Sequence, residues 1–206
     1  MSAHNSTLKD VFDRVAATAL ALPLLPVMAG LAVVSKVKYG NAFHPCDKVG
    51  RDGEHFNMFK FKTMYDAVDA NGNILPDKER RTRIGRFMRT TSLDELPQLF
   101  NVIAGDMSLV GPRPQCQSEI DYYQKHHPVE HNHILAVKPG ITGPWQVAVI
   151  GRSEKSDEES KARLNAQYHE QEWSFGRDLI YMGKSIRSFF TGHDGELLNR
   201  DMFKMD

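Results

Sequence analysis

Twenty consecutive residues, Val15 to Val34 (VAATALALPLLPVMAGLAVV), carry no charge, and two prolines, Pro23 and Pro26, stand in their middle. At about 1.5 Å per helical residue, such a run reaches across the ~30 Å hydrocarbon core of a bilayer. Each proline lacks a helical N–H and crowds the carbonyl four residues earlier, Ala19 for Pro23 and Leu22 for Pro26, so the spacing predicts a sharp kink. Lys9 and Arg14 precede the run and Lys36 and Lys38 follow it, which leaves no clear asymmetry of positive charge. A re-entrant helical hairpin, entering and leaving on the cytoplasmic side, satisfies both the prolines and the flanking charges. A kinked crossing and a buried helix of a soluble protein are the alternatives. Asp10 and Asp13 spoil the basic start of a signal peptide, and no small-residue cleavage pattern stands near Ser35. The excess of Lys and Arg after the run would hold the main domain in the cytoplasm even if the helix crossed.

A chain of 206 residues fits one globular domain plus an accessory segment. The expected division is a membrane helix at 1–38, a main domain at 39–192 and a tail at 193–206. Lys+Arg and Asp+Glu both total 26, so no global field draws the chain to nucleic acid, and electrostatic binding must be local. Cys46 and Cys116 show no CxxC spacing, which argues against a disulfide framework or zinc knuckle and suits a reducing compartment.

After the apolar segment, Lys48 to Gly53 reads as a turn. His55 to Met64 (HFNMFKFKTM) reads as a strand with Lys60 and Lys62 on one face and Phe59 and Phe61 on the other. Asp69 to Pro76 carries Asn-Gly and is a surface turn. A short helix is expected from about Leu93 to Ile103, ending near Gly105, and a brief strand at Ser108–Val110. Glu119–His127 and Ser156–Trp173 read as helical, Val137–Val149 as loop then strand. Asp178 to Phe190 is an amphipathic helix with Lys184 and Arg187 on its polar side. The expected fold is therefore mixed α/β, helix-rich with a small sheet.

Chemistry concentrates around Asp94 and Glu95. Ser92-Leu-Asp-Glu95 matches a capping box, with Ser92 as N-cap, and that is one reading of the pair. Pro97 sits awkwardly in it, because its missing N–H falls past the first turn. The other reading is catalytic: two adjacent ionised carboxylates can share a divalent cation and offer one oxygen as a nucleophile. Arg89 lies five residues before Asp94, and Arg113 is held between Pro112 and Pro114, which limits its backbone freedom. Guanidinium forks match phosphate oxygens, and Lys60 and Lys62 add point charges. Each alone is an ordinary surface cation; together with the acidic pair and a membrane segment they suggest a diphosphate bound beside a membrane. Lys138-Pro-Gly-Ile-Thr-Gly143 is a tight turn whose N–H groups could touch phosphate. His126, His127, His131 and His133 read as a polar solvated stretch without metal-ligand spacing.

Six motifs in order carry a resemblance: Lys60-Phe-Lys-Thr-Met64, Arg83-Ile-Gly-Arg-Phe-Met-Arg89, Thr91 to Asn101 (TSLDELPQLFN), Gly105 to Pro114 (GDMSLVGPRP), Lys138 to Gly143 and Trp173-Ser174. Over nearly the whole chain, it resembles the monotopic phosphoglycosyl transferases, bacterial enzymes that begin glycan assembly on polyprenyl (undecaprenyl) phosphate. The resemblance implies a short catalytic-core form at the bacterial inner membrane. Its catalytic domain would lie on the cytoplasmic face, with an N-terminal Pro-kinked re-entrant helix and amphipathic interfacial helices. It implies a UDP-sugar donor, Asp94 as nucleophile forming a covalent sugar-phosphoryl aspartate, and UMP as the first product. Polyprenyl phosphate would then take the sugar phosphate. Glu95 would bind Mg²⁺, and Lys60, Arg89 and Arg113, with Lys62, would bind phosphate oxygens. A non-catalytic membrane scaffold of the same fold is the alternative, a homo-oligomer is compatible with either, and neither the sugar nor the pathway is indicated. Three departures stand out: Leu25-Pro26 where the family has Ser-Pro, about two extra residues near Val149-Ile150, and Ala166 where the family has Asp.

Overall fold

A computed structural model describes residues 3–148, 157–170 and 173–191. The elements run α1 (Ala3–Tyr39), β1 (Phe43–Val49), β2 (His55–Phe61), α2 (Asp77–Arg80), α3 (Arg83–Thr90), α4 (Gln98–Ala104), β3 (Ser108–Val110), α5 (Gln117–His126), α6 (Pro128–Leu135), β4 (Gly140–Thr142), α7 (Pro144–Ala148), α8 (Glu158–Glu170) and α9 (Phe175–Thr191). The fold is mixed α/β and helix-rich. Its strands form two small sheets: β1 pairs antiparallel with β2, Phe43 opposite Phe61, and β3 pairs parallel with β4.

Helix α1 runs as one element through Pro23 and Pro26 and is long and apolar enough to cross a membrane. Its buried residues, Lys9, Asp13, Ala17, Ala21, Met28, Ser35 and Tyr39, recur at intervals of four or seven and so form one stripe. Ala17 and Ala21 join Leu99 and Val102 of α4 and Met107 in the main core. Small side chains there let the helix backbone come close to its partner. Met28 packs with Phe61 of β2 and Met88 of α3. Away from the stripe, Leu20, Leu22, Val27 and Val33 are exposed.

Both ends of α1 are tied to the same body. At the first turns the Lys9 Nζ bridges Asp13 Oδ2 at 3.0 Å and Asp178 Oδ2 of α9 at 2.8 Å. Asp178 also accepts from the Tyr168 hydroxyl and the Trp173 Nε1, each at 3.0 Å, and Ser108 Oγ donates to Asp13 at 2.6 Å. All these groups except Trp173 are buried, and buried charges persist when they are paired and hydrogen-bonded in this way. At the last turn, the Tyr39 hydroxyl bonds that of Thr82, and its ring meets Tyr65 edge-on at 5.2 Å. Helix α9 lies beside the start of α1 through the Phe12–Phe175 ring pair at 4.9 Å, and exposes Leu179, Ile180 and Ile186. The exposed apolar residues of α9 stand on the same outward side as exposed Lys184, four residues from Ile180.

Three local expectations are corrected. The strand expected after the Lys138–Gly143 turn is a helix, α7, opened by Pro144, whose fixed φ and missing N–H suit a first helical turn. The expected strand to Met64 stops at Phe61, where β1 ends as its partner. The expected helix from Leu93 to Ile103 is a 3-10 turn at Leu93–Glu95 followed by α4, with Pro97 at the junction and left-handed Gly105 as terminator. The extra residues near Val149-Ile150 and the tail at 193–206 lie outside the described residues.

Candidate active site

The 3-10 turn that carries Asp94 and Glu95 is entered through Ser92, whose φ of 50° is left-handed. Ser92 makes no side-chain cap bond, so the capping-box reading is wrong here. A box needs an extended N-cap residue whose oxygen faces the helix N–H groups, and a left-handed Ser92 turns its side chain away from them. Instead the Ser92 N–H bonds the Arg89 carbonyl at the end of α3, and the Glu95 N–H bonds the Ser92 carbonyl. The chain thereby reverses sharply between α3 and α4 and presents the acidic pair at the bend. A left-handed serine costs about 1–2 kcal/mol. Gly85 in α3 allows the approach that sets this bend, since a Cβ there would lie 2.0 Å from the Thr63 carbonyl oxygen.

The pair opens on a cavity of about 280 Å³ lined by several segments of the chain. The β1–β2 hairpin contributes His44, Cys46, Lys48, Met58 and Lys60, which share a face because His44 pairs with Lys60 and Cys46 with Met58. The bend contributes Asp94, Glu95 and Gln98, and α3 contributes Arg89. The segment after β3 contributes Arg113, and β4 with α7 contributes Gly140, Ile141 and Gln146. Six cationic side chains, Lys48, Lys60, Lys62, Arg80, Arg89 and Arg113, line it against three carboxylates, Asp66, Asp94 and Glu95. Such a surplus attracts a polyanion such as a diphosphate.

Glycines fix the position of Arg113. A Cβ on Gly140 would lie 2.0 Å from the Gly111 nitrogen, and one on Gly143 would lie 1.9 Å from the Gly111 oxygen. Backbone bonds from Gly111 N–H to Thr142 and from Gly140 N–H to Pro112 then clamp the two segments together. The turn at Lys138–Gly143 is thus a backing for Gly111-Pro-Arg-Pro114. The Arg113 N–H donates to buried Asn165 Oδ1 at 2.7 Å, and its guanidinium carbon sits 4.8 Å from the centre of the Trp145 ring.

All six residues singled out from sequence line this cavity. They differ in their partners. Asp94 is buried, 7% exposed, and burial followed by the neighbouring Glu95 charge pushes its carboxyl up to about 6, against the pull of Lys60 and Arg89. Lys60 Nζ meets Glu95 Oε1 at 2.6 Å. Lys62 is buried and held by Asp66, and Arg89 contacts Asp77 at 3.5 Å. The lining residues His44, Cys46 and Lys48 were not legible as site residues, because β1, with Pro45 and few β-formers, does not announce itself as a strand.

Among the described residues no cluster of three or more His, Cys, Asp or Glu side chains could hold a metal, and the histidines at 126–133 make none. Asp94 and Glu95 supply hard oxygen donors from two adjacent positions. Two such donors fit only an ion that takes the rest of its shell from water or a ligand, as Mg²⁺ does.

The sequence profile of the family described as bacterial sugar transferase matches residues 4–192. An uncharacterized sugar transferase, EpsL, of Bacillus subtilis is 39% identical over 181 residues, covering 87% of this chain and 86% of that one. The UDP-glucose:undecaprenyl-phosphate glucose-1-phosphate transferase of Caulobacter vibrioides is 38% identical over 189 residues, covering 89% and 70%. The UDP-galactose-lipid carrier transferase of Erwinia amylovora is 35% identical over 220 residues, covering 98% of this chain but 43% of its own length.

Proposed function

The chain belongs to the bacterial sugar transferase family and is a transferase, and on that premise we propose that it moves a sugar 1-phosphate from a UDP-sugar to polyprenyl phosphate at a membrane surface. The observation that carries this reading is the placement of one buried carboxylate, Asp94, on a cavity also lined by Lys60, Arg89 and Arg113. A carboxylate among cations is a nucleophile whose target is an anion, and the cations offset the repulsion between the two.

In the first step an Asp94 oxygen attacks the β-phosphorus of the UDP-sugar. The bond from that phosphorus to the bridging oxygen breaks, its electron pair leaves with UMP, and a sugar-phosphoryl aspartate remains. In the second step an oxygen of polyprenyl phosphate attacks the same phosphorus. The acyl-phosphate bond breaks, polyprenyl-diphosphate-sugar departs, and the Asp94 carboxylate is restored. Arg113, supported on Trp145 and by Asn165, binds phosphate oxygens in a forked geometry. Lys60 and Arg89 neutralise charge on the transferring group. Lys62, being held by Asp66, contributes mainly to the local field. Bound Mg²⁺, held by Glu95 with Asp94 beside it, would supply electrostatic relief to the diphosphate. The exposed apolar faces of α1 and α9 rest in lipid, with the domain on the cytoplasmic face of the inner membrane, and α1 enters and leaves on that one side. The tethering of both α1 ends to one body supports that course.

The test is UMP release from a panel of UDP-sugars with polyprenyl phosphate. Asp94→Asn is expected to lower turnover by about a thousand-fold or more with the fold retained; near-wild-type turnover would sink the covalent route. Excess EDTA, and Glu95→Gln, should each depress the same rate, and full activity in EDTA would remove the cation from the scheme.

A further inference from the structure

Cations at one end of the cavity already hold carboxylates. Lys60 pairs with Glu95 at 2.6 Å, Lys62 with Asp66, and Arg80 and Arg89 with Asp77 at 3.1 and 3.5 Å. Lys48 and Arg113 line the same cavity, and neither has a carboxylate partner among the described residues. The Arg113 guanidinium rests on the Trp145 ring instead. The fold places these two at the other end. On the hairpin face His44 stands opposite Lys60, Cys46 opposite Met58 and Lys48 opposite Phe56. Four residues at about 3.4 Å each put the Lys48 backbone roughly 13 Å along the strand from the level of Lys60. Uncharged Cys46 and Met58 fill the interval. Beyond them the Val49 N–H donates to the Gln115 carbonyl at 2.9 Å, which draws the end of β1 against the segment that carries Arg113. Lys48 is half-buried, and an ammonium drawn part-way out of water is best answered by an anion. A ligand anion meets Lys48 without breaking an ion pair, whereas Lys60 must share Glu95.

We infer that Lys48 is a further binding residue of the cavity and forms, with Arg113, a subsite for a phosphate monoester, distinct from the subsite of the transferring phosphorus at Lys60 and Arg89. The inference rests on the transferase reading above. Displacement at phosphorus runs in line, so the oxygen that leaves with UMP and the oxygen that attacks from polyprenyl phosphate take the same place opposite Asp94. One subsite therefore receives the two monoesters in turn. A lysine suits the task, because a point charge on a rotatable stem can follow phosphates carried by groups as unlike as a nucleoside and a lipid.

The test is calorimetric binding to the full chain in detergent, with UMP and farnesyl phosphate, a short prenyl monoester, as probes. Lys48→Met is expected to weaken both about ten-fold, and Lys48→Arg to recover most of that loss. Lys125→Met removes an exposed lysine outside the cavity. It should leave both affinities within about two-fold, which separates a local contact from the general field. On wild-type protein the two probes should exclude each other. Unchanged binding of both to Lys48→Met overturns the inference, and so does simultaneous binding of both to wild type. A loss confined to one probe overturns it as well, since the subsite would then not be shared. Wild-type protein that binds neither probe would sink the transferase reading itself. Should Lys48→Met fail to fold, Lys48→Gln carries the same expectation, and the wild-type competition still decides whether one subsite serves both.

Discussion

Burial of Asp94 beside Glu95 disfavours its ionised form, and its carboxyl titrates near 6 against an ordinary 3.8. The native fold therefore binds this proton more tightly than the unfolded chain does. The stabilising contribution is complete below about pH 3.8 and is lost as pH rises through about 6, at a cost of up to ~3 kcal/mol at neutral pH. Asp94→Asn is thus expected to melt higher than wild type above pH 6 without nucleotide, the gain vanishing near pH 4. Thermal denaturation across pH 4–8 measures this, and a wild type as stable as the variant at pH 7.5 would contradict it. Because the nucleophile must be ionised, kcat/KM in the same range should drop about ten-fold per pH unit below 6. At this scale the sequence identified Asp94, Glu95 and the cations around them, but misread Ser92. Ser-x-x-Glu is the same string whether Ser92 is extended or left-handed, and that choice is made by the packing of α3 on Thr63 and α4 on α1, which local spacing does not contain.

Among the elements, α1 shows how a lysine can serve as a clasp. Lys9→Met leaves Asp13 and Asp178 buried without their cation, a change expected to cost about 3–5 kcal/mol, whereas Lys9→Arg should retain much of that and Leu22→Ala, at a side chain 62% exposed, should stay within about 0.5 kcal/mol. Chemical denaturation in detergent micelles checks the order; equal stabilities for Lys9→Met and Leu22→Ala would show the buried cluster to be inert. The helix itself was legible from its uncharged run, yet Lys9 and Asp13 read as mere flanks, because their partners Asp178 and Ser108 are remote in the chain. Helix α7 was misread for a related reason. Trp145 and Val147 favour a strand by propensity, but Pro144 sets the first turn and the stacking of Trp145 on Arg113 holds it. Likewise β1 was unreadable until paired, since Pro45 and Asp47 are poor strand formers.

For the molecule as a whole, the tethers at Lys9 and Tyr39 bear on which side of the membrane each end of α1 occupies. With Cys46 and Cys116 replaced by Ser, single cysteines at Ser2→Cys and Lys38→Cys are expected to react with an impermeant maleimide only from the cytoplasmic side. Labelling of Ser2→Cys from the periplasm alone would mean that the helix crosses. The helix-rich mixed α/β body with a long apolar N-terminal helix was legible from the apolar run and the ordered motifs, as was the short strand β3, while the two-sheet layout was not, since it depends on the pairing of β3 with the remote β4. The clasp also sets an order on biosynthesis. Lys9 leaves the ribosome 169 residues ahead of Asp178, a delay of roughly 10–30 s at ordinary elongation rates. For that interval Lys9 has only Asp13 to pair with, so the clasp closes after the α4 and β3 residues that receive Ala17 and Ala21 have already been made.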